Sequence, residues 1–304
     1  MQITAEQVSK LRERTGAGMM DCKKALVENA GDFEKSIEYL RKKGIASASK
    51  KAGRTAKEGA VFALIDHESK AAVLVEVNCE TDFVGKNENF QKFVSDVAKH
   101  IAKANPASPE ELLTQKSALD SSKTMDEVVK GAIAVMGENI MVRRFVRFPI
   151  DAKTEAKSYI HMGGKVGVLV EFAIPNPEKK VQEAFLSMVR DVSMHIAAAS
   201  PLYLHSHEVP ADVVAKEKEI AMAQLVGQNK PADVLEKIAT GKIGKYFEET
   251  VLNLQKFVKD DKKTVQAVVN EAGKAIGETL HITRFARYVL GEGVADAVEE
   301  TAAH

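Results

Sequence analysis

Apolar positions follow two periods along this chain, one helical and one alternating, and the change between them divides it. In the first fifty residues the spacing is helical. Thr4 and Gln7 form a capping box with Ile3 and Val8 as a hydrophobic staple, which predicts a helix from Ala5 that turns Val8 and Leu11 inward and ends at Gly16. A second helix is predicted from Met20 through Cys22 and Leu26 to Gly31. A third starts at the cap Asp32, buries Phe33, Ile37 and Leu40, and stops at Gly44. Residues 46–58 then change character: Lys50, Lys51, Arg54 and Lys57 stand among Ala, Ser and Gly, a composition that fits a solvated linker helix or tether, or a contact with phosphates.

From Gly59 the period shortens. Val61–Ile65, a turn at Asp66-His67-Glu68-Ser69 and Ala71–Val77 predict a β-hairpin, followed by an amphipathic helix from Glu88 to Lys103 and a third strand from Met141. The order then returns as Tyr159–His161, a turn at Met162-Gly163-Gly164-Lys165, Val166–Ile174 and a helix over Val181–Ala198. Positions 73–106 and 168–201 share 14 identities over 34 aligned positions without a gap, so the unit is duplicated at an offset of 95. The closing segment Gly137–Phe148 returns as Gly277–Tyr288 at an offset of 140, which leaves 45 extra residues in the second copy. They read as a helical hairpin, with Val213, Ile220 and Leu225 on one arm, Gly227–Pro231 as the turn, and Leu235, Ile238, Phe247 and Val251 on the return. Its apolar stripe is buried either arm against arm or against a second copy, which would make a homodimer. The expected fold class is α+β, with antiparallel sheets in the duplicated core. The expected divisions are a three-helix module at 1–45, a linker at 46–58, the first copy at 59–150, the second at 151–208 plus 255–290, the inserted hairpin at 209–254 and a short segment at 291–304.

The repeat isolates one departure. Thr81-Asp82-Phe83-Val84 aligns with Asn176-Pro177-Glu178-Lys179, an ordinary solvated turn. An aromatic directly after an Asp, where a strand turns into a helix, is either a packed core residue or a side chain held out for a partner. Because the second copy does without Asp-Phe-Val here, folding of the unit does not demand them. A second pair of readings concerns Met19 and Met20, beside Gly16 and Gly18: a soft contact surface or the core of a small module.

Composition narrows the function. Lys plus Arg and Asp plus Glu stand at 43 each, which argues against a polyanion-binding protein. Two cysteines, Cys22 and Cys79, suit a reducing compartment without a disulfide framework. Apolar runs too short for a bilayer and no secretory run after Met1 lead to the expectation of a cytoplasmic protein with no membrane contact. Gly164-Lys165 and Gly244-Lys245 lack the preceding glycine and the following Ser or Thr of a phosphate loop, so no direct nucleotide binding is expected. His205, His207 and Glu208 read as a metal site or as a polar turn before Pro210. No serine–histidine–aspartate or cysteine–histidine arrangement is legible, so neither enzyme chemistry nor a cofactor is expected. Two readings from other classes stay open on the residues alone: RNA binding through Lys50–Lys57, and a metallohydrolase at His205 and His207.

At Thr15-Gly16-Ala17-Gly18-Met19-Met20-Asp21-Cys22-Lys23-Lys24-Ala25-Leu26 and again at Asn78-Cys79-Glu80-Thr81-Asp82-Phe83-Val84, the chain resembles the bacterial translation elongation factor Ts family. The similarity extends to Gly137-Glu138-Asn139, Arg143-Arg144 and Gly291-Glu292-Gly293. The resemblance implies that the N-terminal module is like a ubiquitin-associated domain and that the partner is the GTPase elongation factor Tu, from which the chain promotes GDP release. It also implies that Asp82 and Phe83, within the loop Thr81–Val84, intrude between two helices of that GTPase near its magnesium site. Arg12, Met19, Met20 and Lys23 would meet the nucleotide domain, and Met136, Gly137, His161 and Val258 match further contact positions.

Overall fold

A computed structural model describes residues 3–225 and 231–294. The expected hairpin turn at Gly227–Lys230 and the end of the chain from Ala295 lie outside the described residues. The Thr4 side chain accepts the Gln7 amide while the Gln7 side chain accepts the Thr4 amide, so the capping box forms and opens α1, Ala5–Thr15. Gly16 ends it in the left-handed region at φ 67°. Next come α2, Met19–Glu28, and α3, Phe33–Lys51, the latter capped by Asp32 on the Lys35 amide. Val8, Leu11, Cys22, Ala25, Leu26 and Leu40 make their core, with Phe33 and Ile37 half-buried against it.

One expectation fails here. The third helix does not stop at Gly44 but runs on to Lys51, so the first part of the basic stretch is helical. Gly44 is a point of close approach: a Cβ there would lie 2.8 Å from the Cβ of Ala134 on the later helix Met125–Met136. Glycine inside a helix costs about 1 kcal/mol, and here the packing of two helices offsets it.

Strands β1, Glu58–Asp66, and β2, Ala71–Cys79, pair antiparallel with Glu58 opposite Cys79 and Asp66 opposite Ala71. Helices α4 (Asp82–Gly85), α5 (Glu88–Ala104), α6 (Pro109–Thr114) and α7 (Met125–Met136) follow, then β3, Ile140–Pro149, which joins the free edge of β2. Alternate residues Val73, Val75 and Val77 of β2 meet Phe90, Val94, Val97 and Ile101 of α5. Strand period two thus faces helix period 3.6 in one core.

The second copy repeats these steps. Strands β4, Thr154–His161, and β5, Val166–Ala173, pair with His161 opposite Val166, which is the Asp66–Ala71 pairing shifted by 95 on both strands. Helix α8, Glu183–Ala199, is α5 shifted by the same 95 at both ends, and both helices end on a left-handed non-glycine residue, Asn105 and Ser200. The inserted arms are α9, Ala211–Ala223, and α10, Ala232–Thr250. Ala221, Leu225 and Ala239 pack between them with Leu235 and Ile238 half-buried against them, whereas Ile220 of the expected stripe stays 41% exposed. A small ribbon of β6, Lys256–Phe257, and β7, Asp260–Thr264, leads to α11, Val265–Ile276, and β8, His281–Val289, which lies beside β5. The fold is therefore mixed α+β, with N-terminal helices and several small antiparallel sheets. Contacts divide it into two units: Met1–Arg147 with Met162–Lys165 and Tyr288–His304, and Phe148–His161 with Val166–Arg287.

Each copy buries one histidine in the same way. His100 Nδ1 accepts the Ala118 amide at 3.1 Å and Nε2 meets Gln115 Oε1 at 3.0 Å; His195 Nδ1 accepts the Val258 amide at 3.3 Å and Nε2 meets Gln255 Oε1 at 2.9 Å. A ring that accepts at Nδ1 and donates at Nε2 is neutral. Burial pushes both imidazoles below the ordinary 6.5. Below pH 6.5 the unfolded chain therefore binds more protons than the folded one, and stability falls as pH drops from that value toward the folded-state pKa. Thermal unfolding between pH 7.5 and 5.5 is expected to show this acid loss, and His195→Gln is expected to make it shallower. An unchanged slope in that variant would rule the ring out as its source.

Candidate partner-contact site

Residues Cys79 to Lys86 turn the chain from the buried β2 into α5. Thr81 caps α4, its Oγ1 accepting the Val84 amide at 3.3 Å. The turn rests on two glycines: a Cβ on Gly85 would lie 3.0 Å from the Gly59 carbonyl oxygen, and one on Gly59 would lie 2.1 Å from that of Val77. Only glycine admits so close a backbone approach. Val84 faces inward, half-buried against the first core. Phe83 points the other way and is 83% exposed, the highest value among the exposed large apolar side chains described. Of the two readings of this ring, the packed core residue is excluded.

Asp82 is half-exposed and pairs with Lys86 one turn on, Oδ2 to Nζ 2.6 Å. The Lys86 hydrogen bond holds the Asp82 carboxyl below its ordinary value, with further help from the positive charge of Lys86 and of Lys165. The carboxylate is thus ionised at neutral pH, and so exposed a pair is readily given up to another partner.

A set of contacts behind the turn joins it to residues 137–139. Glu138 Oε2 accepts the amides of Glu80 at 3.1 Å and Thr81 at 3.0 Å, and its Oε1 accepts the Thr81 hydroxyl at 2.6 Å. In return Glu80 Oε1 accepts the Asn139 amide at 2.6 Å, and Asn139 Nδ2 donates to the Arg54 carbonyl at 2.7 Å. The resemblance implies a contact at Gly137 and gives no role to Glu80 or Glu138, although both stand in its motifs. The signal it had was the coincidence of Gly137-Glu138-Asn139 with the Asp-Phe corner in the first copy.

The remaining predicted contact residues are distributed as follows. Arg12, Met19, Met20 and Lys23 are exposed on α1 and α2, with Met19 at 55% and Met20 at 73%; these methionines are surface, and Cys22, Ala25 and Leu26 supply the module's core. Met136 is half-buried against the first core, and Gly137 ends α7 at φ 79°. His161 ends β4, exposed, its Nδ1 3.0 Å from the Tyr159 hydroxyl. Val258, 52% exposed, sits in the turn between β6 and β7. Within one unit the structure brings together the Thr81–Val84 corner and the Met136–Asn139 turn; His161 and Val258 belong to the other. His205 and His207 stack at 5.1 Å, but Glu208 is occupied by the Leu204 amide, and among the described residues no group of three or more His, Cys, Asp or Glu is arranged to hold a metal. Among them too, no helix is long and apolar enough to cross a membrane.

The exposed Phe83 on its braced corner, with Met19 and Met20 exposed on α2, fits the class of protein-binding factors. A family model described as Elongation factor TS matches residues 80–292. Elongation factor Ts of Trichlorobacter lovleyi is 50% identical over 294 residues, 97% of this chain and 94% of that protein. That of a Nitratiruptor species is 50% identical over 303 residues, covering 100% and 98%, and that of Symbiobacterium thermophilum 43% identical over 293 residues, covering 96% and 93%. The chain belongs to the elongation factor Ts family. It is accordingly a nucleotide exchange factor of translation elongation that serves elongation factor Tu in the cytoplasm, and not an enzyme.

Proposed function

We propose that exchange is driven from the Thr81–Val84 corner, with Phe83 as the wedge and Asp82 as its charged companion, inserted between two helices of the GTPase near the loop that supports its magnesium ion. The observation that carries this reading is the exposure of an 83% accessible phenylalanine on a turn anchored by Val84, Gly85 and Glu138. GDP in such a GTPase is held by backbone amides, a lysine and Mg²⁺, so displacing the cradle loosens nucleotide without any bond being made or broken. Linkage fixes the rest of the cycle: whatever factor the chain takes from GDP affinity, GDP takes from the affinity for this chain. Arg12, Met19, Met20 and Lys23 serve as a second contact on the nucleotide domain, and Met136, Gly137, His161 and Val258 as supporting contacts on the core.

Phe83→Ala tests the reading. If the ring is a buried anchor in the complex, its truncation costs about 2 kcal/mol, or about thirtyfold in stimulated GDP release. Because the ring touches little of its own chain, the melting temperature should not move. Undiminished stimulation in stopped-flow release of a fluorescent GDP would overturn the proposal.

A further inference from the structure

Glu138 converges on the exchange corner without being part of its exposed surface, and we infer that it is a positioning residue for exchange, acting through Thr81 on Phe83. The inference rests on the reading of the corner given above and adds the group that sets its geometry. Three donors of one short segment, two backbone amides and a hydroxyl, end on a single carboxylate, Glu138, at 3.0–3.1 Å and 2.6 Å. The Thr81 hydroxyl is fixed from both sides, since Oγ1 also accepts the Val84 amide that starts α4. Glu80 closes the loop by accepting the Asn139 amide, so the strand end and the α7–β3 turn hold each other through side chain to backbone contacts in both directions. Such a double brace fixes position as well as proximity, and a misplacement of about 1 Å can reduce a rate on the order of a hundredfold.

The second copy supplies the comparison. Glu278 stands where Glu138 does, but Pro175 replaces Glu80 and Asn176 replaces Thr81. Proline has no amide hydrogen and no carboxylate, so neither the first donor nor the return contact can form there. The full brace occurs in the copy that carries the aromatic and is ruled out in the copy that lacks it. Stability of the repeat alone does not call for that asymmetry; presentation of Phe83 does. The brace also ties the corner to Met136 and Gly137, so that two proposed contacts move as one body.

Glu138→Ala is expected to lower the maximal rate of GDP release at saturating factor about tenfold while the half-saturating concentration changes little. Glu138→Gln, which keeps one carbonyl oxygen for the two amides, should restore most of the rate. In the free protein, hydrogen exchange at the Glu80 and Thr81 amides should accelerate in the alanine variant. In a Phe83→Ala background, Glu138→Ala should remove nothing further, because the wedge it positions is gone. Equal losses in both backgrounds would show a merely structural role and overturn the inference while leaving the corner reading intact. A full rate for Glu138→Ala beside a slow Phe83→Ala would do the same, whereas a silent Phe83→Ala would overturn the corner reading and this inference with it. Should Glu138→Ala fail to fold, Glu80→Ala leaves the Glu138 contacts in place and removes the acceptor of the Asn139 amide together with the exposed Arg54 pair, and the same comparison of backgrounds decides.

Discussion

Replacing Thr81-Asp82-Phe83-Val84 by the Asn-Pro-Glu-Lys of the aligned corner is expected to remove nearly all stimulation of GDP release from a chain that remains folded. The structure makes this a fair exchange. Both corners are a single helical turn, opened by a residue whose side chain caps it: Thr81 at φ −125° and ψ 154° in the first copy, Asn176 at φ −104° and ψ 107° in the second. Proline is accepted at the first position of a helical turn, and the extended backbone of the capping residue suits the position before it. The flanking strand and helix are equivalent, and Gly85, which must remain small against Gly59, lies outside the swapped residues. Two contacts are lost inward: the Thr81 hydroxyl no longer reaches Glu138, and Val84 no longer packs on the first core, from whose burial a penalty of about 1 kcal/mol is expected. A three-residue swap that retains Val84 separates this penalty from the functional loss. Calorimetry should still detect binding to elongation factor Tu through the N-terminal helices and the remaining contacts. Near-normal release by either swapped chain would move the source of exchange away from the corner, to Met19, Met20 and Lys23.

The parts of the fold that were legible are those written in periodicity and in repetition. Equal offsets predicted equivalent hairpins, and the structure returns the same register in both, because a one-residue slip would turn the whole buried face of β2 or β5 to water. His100 and His195 stand at equivalent positions of the two copies, and each ring is bound to a glutamine and a backbone amide in the same manner. Gly44 was misread because a glycine after an apolar helical run has the same local signature whether it ends the helix or admits a neighbour. Only the Ala134 contact, ninety residues on, distinguishes them. The exposure of Phe83 followed from comparing copies, whereas the inward turn of Val84, one residue later, did not. The brace from Glu138 was hidden for a further reason: it joins a side chain to backbone amides nearly sixty positions away, and backbone amides carry no sequence signal.

The largest loss of stability from a single substitution is expected at Glu76→Ala. Glu76 lies fully buried on β2, where a carboxylate is stable only if every oxygen is answered. Arg143 Nη1 approaches at 2.9 Å and Arg144 Nε at 2.6 Å, the Gly291 amide donates at 2.8 Å and Asn78 Nδ2 at 3.2 Å. Burial pushes this carboxyl up, but the Gly291 amide and the two guanidinium groups outweigh it and leave it below the ordinary 4.5. Its contribution is therefore complete above that value and is lost as pH falls through the lower folded-state pKa. Truncation strips the carboxylate from two cations. Arg144 retains the face of Tyr288, 4.3 Å from the ring centroid, the Val289 carbonyl at 3.0 Å and the Glu292 carboxylate at 3.6 Å, but Arg143 is left with the Glu292 carbonyl, and Gly291 loses its anchor to the core. Breaking a buried pair on one side costs about 3–5 kcal/mol, to be measured by urea unfolding. The cause assigned here has its own check. If the loss comes from stranded charge, replacing Glu76, Arg143 and Arg144 together by leucines should destabilise the chain less than Glu76→Ala alone. A triple variant that is less stable than the single one would show that the contacts themselves, and not the orphaned cations, carry the energy.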